Sequence, residues 1–393
     1  MIALAVLPFT AIGESGLQTT ADIITEDLTN GLSRVALLRV ISRQTMRSYA
    51  GGKTDVAAIG TELGVRYVLE GALRMQGERL RLNVELTDPA TRLPVWSTRI
   101  ERDGTDLDQL RDEIVGRLAR ELHFEVYQAE VKRGATDPGF KELIYTGWTA
   151  ILVHGSEGLD ALKRAEAAFL QADARGPGNP ASRFGLGAYH TLVGSLQLLP
   201  DWRGHLAKAE HLLRQNIKDE PDVAGQHLYL SIVLRMRGAL EPALGALQRC
   251  IELAPSMAPC HAHIGHTLVQ MNRAEQGLPH IDYALRLSPR DPSRPHWLRF
   301  AGEAEIEMGH FDRATALLRQ SYAVNPRYPF LLRSLAAASA LSGNMDESRK
   351  YIAELGTVAP HLSIERYLHR PAPMRAAQPE LNRGLRMALA PRM

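Results

Sequence analysis

Two rhythms of apolar positions divide this chain. Over its first third the pattern is of short strands and single helices. Ile2 to Phe9 is a continuous apolar run, the pattern of a buried strand, followed by a polar, glycine-containing loop to Thr20. Ala21 to Val35 carries Ile23, Ile24, Leu28, Leu32 and Val35 at helical spacing, and Leu37 to Ser42 is a second strand. Asp55 is placed to cap a helix containing Val56, Ile59 and Leu63, which Gly64 ends. Tyr67–Met75, Arg79–Thr87 and Pro94–Ile100 have strand composition. In the middle one Leu80, Leu82, Val84 and Leu86 alternate with Arg79, Arg81, Asn83 and Glu85, so one face is buried. Gly77 and the Asp88-Pro89 pair supply turns, and a helix over Asp106–Phe124 has the stripe Leu107, Leu110, Ile114, Leu118 and Leu122. Residues 1–128 therefore form a small mixed α/β sheet domain.

After a linker at 129–142, containing Gly134, Pro138 and Gly139, the rhythm becomes that of paired helices. Prolines recur at 177, 221, 255, 289, 326 and 360, three of the five intervals being 34 residues. Small or apolar residues precede them at fixed distances, as Ala243, Leu247 and Cys250 do before Pro255. This beat resembles the tetratricopeptide repeat (TPR), a 34-residue helix pair closed by proline. About six repeats fill 143–360, the second enlarged by roughly ten residues around Leu198–His205. Gly238, Asn272, Gly309 and Gly343 mark turns between paired helices. Gly265 and Gly302 take the small-residue site of the first helix, expected to face Ala284 and Ser321. The fold class is thus a two-part α+β chain, a mixed sheet domain followed by an all-α TPR solenoid. Such arrays bind through a concave wall of first helices. By repeat register that wall carries Ile232, Arg235, Met236, His266, Val269, Gln270, Arg299, Glu303, Ile306, Arg333 and Ala337. The Arg, Pro and Ala-rich tail, 361–393, is compatible with a short capping helix around Glu380–Leu389 or with disorder.

Composition narrows the function. Formal net charge is +2 among 393 residues, and no dense basic stripe suits direct nucleic-acid binding by this chain. The apolar start lacks the basic flank and the length of a signal peptide, and no apolar run is long enough for a membrane span. Two cysteines, Cys250 and Cys260, cannot staple a secreted scaffold and are expected to be small packing residues in a reduced, cytoplasmic protein.

Few residues suggest chemistry. Cys260, His261, His263 and His266 cluster, but His263 and His266 lack a second pair of ligands, so packing is the preferred reading and no metal is assigned. Arg299 and Arg333 hold equivalent wall positions and could present guanidinium forks to an acidic peptide. The asparagines of the TPR clamp for acidic chain ends are missing, which favours solvated or intramolecularly paired arginines. With no nucleophile elbow, phosphate loop or zinc motif, no catalytic or cofactor residue is assigned.

The ordered strings IALAVLPF, TADIITEDLTNGLSRV, LRVISR, IGTELGVRYVLEGALR and RLRLNVELTDPATRLPVWSTRIERD resemble the amino-terminal domain of TolB-like proteins, and cover nearly all of residues 1–126. In that family the domain is a module of bacterial regulators, including the HilA type, set between a winged-helix or class III cyclase domain and TPRs. The resemblance implies a non-enzymatic interaction module of signal transduction or transcriptional control, holding a protein or peptide in the TPR groove. Because the sequence starts on the first strand, the family's output domain is expected to be missing from it. Two alternatives stay open: the regulatory part of an adenylate or guanylate cyclase, and an envelope-associated assembly factor. Strand edges of the α/β domain make a homodimer reasonable.

Overall fold

The structure is a computed structural model, and it describes residues 2–13, 17–33, 38–42, 45–46, 48–49, 55–76, 79–103, 115, 118, 122, 126, 139–289, 291–369 and 378–390. Contacts divide the chain into two compact units, Met1–Asp137 and Pro138–Met393.

The first unit is built on a six-stranded sheet: β1 (Ile2–Val6), β2 (Thr10–Ile12), β3 (Leu38–Val40), β4 (Tyr67–Gln76), β5 (Arg79–Asp88) and β6 (Leu93–Asp103). The order is β3-β1-β4-β5-β6, with β2 also on β4. Strand β1 runs parallel to neighbours on both sides, and its five residues are all buried, which is why it reads as an unbroken apolar run. Strands β4, β5 and β6 form an antiparallel meander. Leu80, Leu82, Val84 and Leu86 of β5 are buried, as the alternation requires.

Two helices of this unit have both ends described, α1 (Leu17–Ser33) and α2 (Val56–Leu63). Ile24, Leu28 and Leu32 of α1 are buried, whereas Ile23 is exposed and Val35 falls outside the described residues. Helix α2 is capped by the Asp55 carboxylate, which accepts from the Ala57 N–H, and ends at Gly64 in the left-handed region. The loop expected up to Thr20 contains β2 and the start of α1. Those three strand residues are too short and too polar to stand out, and they are held by β4 (Thr10↔Ala72). Of the stripe expected over Asp106–Phe124, Leu118 and Leu122 are helical and buried; Leu107, Leu110 and Ile114 lie outside the described residues.

The second unit is a paired-helix, TPR-like array. Its first pair lies within one hydrogen-bonded run, α3 (Phe140–Arg175), broken at Gly158 (φ 63°, ψ −139°). The chain folds back there, because the Phe169 ring fills the space where Gly147 would carry a Cβ and lies 5.7 Å from Trp148. Then come α4 (Pro180–Ser195) with α5 (Trp202–Asp219), α6 (Ala224–Met236) with α7 (Leu240–Leu253), and α8 (Ala258–Gln270) with α9 (Ala274–Leu287). The last pairs are α10 (Arg294–Glu307) with α11 (Phe311–Val324) and α12 (Pro329–Leu341) with α13 (Met345–Val358). Short α14 (Ile364–Leu368) and α15 (Pro379–Leu389) follow.

The proline beat has a direct physical meaning here. Gly176, Glu220, Ala254, Ser288, Asn325 and Ala359 each cap a second helix, and each stands immediately before one of the six prolines. A residue before proline is kept out of the α region, so every second helix stops there, at ψ values between 70° and 83°. Gly238, Asn272, Gly309 and Gly343 all have positive φ and turn the chain between paired helices. The extra length of the second repeat is spread over a longer α5, of 18 residues against 14 in α7, and the turn at 196–201.

Gly265 and Gly302 do sit at helix crossings, but not opposite Ala284 and Ser321. A Cβ on Gly265 would lie 2.5 Å from the Gly277 carbonyl and from Ile281, and one on Gly302 would meet Leu318 and the Ala314 carbonyl. The crossing is nearer the turn than the repeat register implies. Ser321 instead donates to the Pro295 carbonyl.

Candidate functional site in the inner wall

The first helices α6, α8, α10 and α12 bring Arg235, His266, Gln270, Arg299, Glu303 and Arg333 together. Glu303 is the centre, 1% exposed. Its Oε1 accepts from Arg299 (2.5 Å), Arg333 (3.1 Å) and Ser334 (2.6 Å). Its Oε2 accepts from Gln378 (3.0 Å) and lies 3.2 Å from His266 Nε2. Burial alone would raise the Glu303 pKa, but Arg299, the His266 hydrogen bond and Arg333 outweigh it and hold the carboxyl well below its ordinary value. Arg299 is disfavoured by burial yet raised by Glu303. His266 is pushed down to about 3 by burial and by Arg235, so it is a neutral donor at pH 7.

Aromatic rings pack the cations. His266 stacks on Phe300 at 3.8 Å, Arg299 lies 4.6 Å from the same ring, and Arg333 lies 4.2 Å from Tyr367 of α14. Arg235 reaches Gln270 at 3.5 Å, and burial followed by Arg299 lowers it to about 10. Three guanidinium groups thus face one carboxylate. The Nε atoms of Arg235, Arg299 and Arg333 have no hydrogen-bond partner among the described residues.

The remaining wall positions have other surroundings. Ile232 packs between α7 and α8 with Cys250, Cys260 and Ile264, and Val269 joins the cluster around Trp297. Met236 lies against the cluster of Phe184 and Leu230. Ile306 and Ala337 line the terminal apolar cluster. Nine of the eleven wall residues are buried, Met236 and Gln270 being half-buried. Arg299 and Arg333 are paired inside the wall and are not open forks.

Two arrangements have no local sequence signature. Contacts join the two ends of the array: His154 of α3 stacks on His296 of α10 at 6.0 Å, and His361 donates to the Gln197 carbonyl at 2.7 Å. Helix α15 lies on the inner wall, against α12, α10 and α13. Its Leu381 and Leu385 enter the cluster of Ile306, Leu331, Leu335 and Ala337. Its first-turn N–H groups, on Glu380 and Leu381, donate to the two oxygens of Glu307 at 3.1 and 2.9 Å. Burial raises Glu307 to about 7, against the lowering effect of those two bonds.

The expectation of two packing cysteines is corrected. Cys250 and Cys260 form a disulfide joining the ends of α7 and α8, with Cα atoms 6.3 Å apart. A bonded sulfur supplies no thiolate ligand, and His261 stacks on His280 and meets Tyr283 edge-on while donating to the Pro255 carbonyl. Among the described residues no group of three or more His, Cys, Asp or Glu is placed to hold a metal. No helix among them is long and apolar enough to cross a membrane.

Residues 1–134 match the family model of the second domain of HilA/YgeH-like transcriptional regulators. A putative adenylate cyclase 3 from Rhizobium meliloti (strain 1021) is 29% identical over 250 residues, 61% of this chain. The chain spans 41% of the length of that relative. Among solved structures, a TPR protein of Thermus thermophilus is 21% identical, with a TM-score of 0.38 over 48% of this chain and 96% of its own. A chain of the APC/C hetero-tetramer Cut9–Hcn1 is 12% identical, with a TM-score of 0.49 over 73% of this chain and 50% of its own.

Proposed function

We propose that this chain is a non-enzymatic regulatory module that holds a partner protein against the inner wall of its helix array, in bacterial signal transduction or transcriptional control. The observation that carries the reading is that the wall already holds a polypeptide helix, α15, by leucines in an apolar cluster and by carboxylate contacts to its first turn. The HilA/YgeH-like match of residues 1–134, and the TolB-like strings within them, support a regulatory setting. A homodimer paired through edge strand β6 belongs to the same reading.

A photo-reactive side chain at half-buried Gln270 of the inner wall, compared with one at exposed Val324 of α11, tests it in native cells. Covalent capture of one protein from position 270 and not from 324 is expected. Capture from 324 alone would overturn the reading.

The second reading is the regulatory part of a nucleotide cyclase, favoured by the 250-residue likeness to a putative adenylate cyclase. The intact mass of the protein isolated from native cells separates the two. A species of about 43.4 kDa that makes no cyclic nucleotide from ATP with magnesium or manganese supports the first. A longer species with that activity supports the second.

A further inference from the structure

Helix α15 has the features of a bound ligand more than of a last repeat. Its buried residues are Leu381, Asn382, Gly384, Leu385 and Ala388, while Arg383 and Arg386 face solvent, so a single apolar stripe meets the wall. Gly384 lets the two backbones approach closely, for a Cβ there would lie 2.6 Å from the Ala337 carbonyl and 2.9 Å from Leu341. The residue before the helix, Gln378, is held at φ 58°, a region that residues other than glycine rarely adopt. It is kept there by its N–H on Asn272 Oδ1 (3.2 Å) and its side chain on Glu303 (3.0 Å). Glu307 brings its two carboxyl oxygens to the helix N-terminus as acceptors for N–H groups that have no partner within the helix.

We infer that α15 is a tethered occupant of the inner wall, and that the site it fills takes helices of the same chemistry from a partner. Such a helix has a free N-terminal turn for Glu307, two leucines four residues apart, and a glycine one position before the second leucine. The partner of the proposed function gains the site only when α15 leaves. This rests on the protein-binding reading above and adds its regulation: the chain competes with its own partner. The strained Gln378 backbone opposes docking and keeps the closed state displaceable.

The test uses the full chain and a fluorescein-labelled peptide of residues 378–390, followed by anisotropy. In one variant Leu381→Asp and Leu385→Asp are combined; in a second, milder one Gly384→Ala alone replaces a helical glycine by a better helix former. The peptide should bind both variants at least about tenfold more tightly than the wild-type chain, whose site is free only for the fraction of time that α15 is away. A peptide carrying Gly384→Ala should bind worse than the native one despite being more helical. Equal binding to wild type and variants, or no binding to the Gly384→Ala chain, would overturn the inference and make α15 a fixed cap. Capture of a partner from position 270 with no peptide binding would leave the protein-binding reading intact and remove only this one. Peptide binding without any captured partner would do the reverse.

Discussion

Replacing Glu303 by alanine should be the most damaging single change to the array. It removes the carboxylate that contacts Arg299 and Arg333, which are 5% and 9% exposed, and takes the acceptor from the Gln378 side chain, while the Ser334 hydroxyl keeps the Phe330 carbonyl. Breaking a buried ion pair by deleting one partner typically costs about 3–5 kcal/mol, because the remaining charge is left uncompensated. Losing one hydrogen bond to a charged group, as in Ser334→Ala, costs about 1.5–3 kcal/mol. Urea unfolding, followed by circular dichroism and by the fluorescence of buried Trp297 on the same helix, measures the difference. With a urea slope of roughly 1–3 kcal/mol/M, the Glu303→Ala midpoint should fall by about 1 M or more. The triple change Arg299→Met, Glu303→Leu and Arg333→Met should recover part of the loss, since apolar replacement of a whole buried ionic triad is often tolerated. A loss below about 1 kcal/mol for Glu303→Ala would refute the reasoning, because it would mean that both guanidinium groups reach water.

Gly265→Leu should lower the melting temperature of the array, because its Cβ would enter the Gly277 carbonyl and overpacking typically costs about 1–3 kcal/mol. Titration with Ellman's reagent in denaturant should find no free thiol before reduction and two after it, and free thiols in the native protein would argue for a reducing compartment. Acid should destabilise the array. His154, His263, His266 and His296 all have pKa values lowered by burial, so the unfolded chain takes up protons first and stability falls as pH drops below 6.5. Glu307 acts oppositely. Its value, raised to about 7 from 4.5, gives a contribution complete below 4.5 and lost as pH rises through 7. Thermal melts at pH 5 and 7.5 should therefore show the lower midpoint at pH 5.

Most of the architecture is legible in the sequence, because it is written in short-range rules. Proline excludes the α region for its predecessor, so the six prolines locate the six helix ends wherever the helices pack. The alternation in β5 and the cap at Asp55 are equally local. What escaped is set by distance along the chain. The strand Thr10–Ile12 is only three residues long and depends on β4, 62 positions later. The Cys250–Cys260 bond depends on the approach of α7 and α8, which repeat spacing does not specify. At the inner wall, register placed Arg299, Glu303 and Arg333 correctly on first helices, but it does not reveal that they pair with one another. That pairing follows from the offset between α10 and α12. The seating of α15 depends on Gln378, 75 residues beyond Glu303, and on a glycine whose use appears only beside Ala337.

Hydrogen exchange resolved to individual amides is the measurement that tests most directly whether the inner wall is a site the chain fills reversibly. The amides of Glu380 and Leu381, bonded to Glu307, should exchange with the rest of α15 through a local opening, at least about ten times faster than those of α10 and α12. Gly384→Ala should raise the α15 rate and leave those of α10 and α12 unchanged. Protection of α15 equal to that of α12, and lost only with global unfolding, would contradict a displaceable occupant.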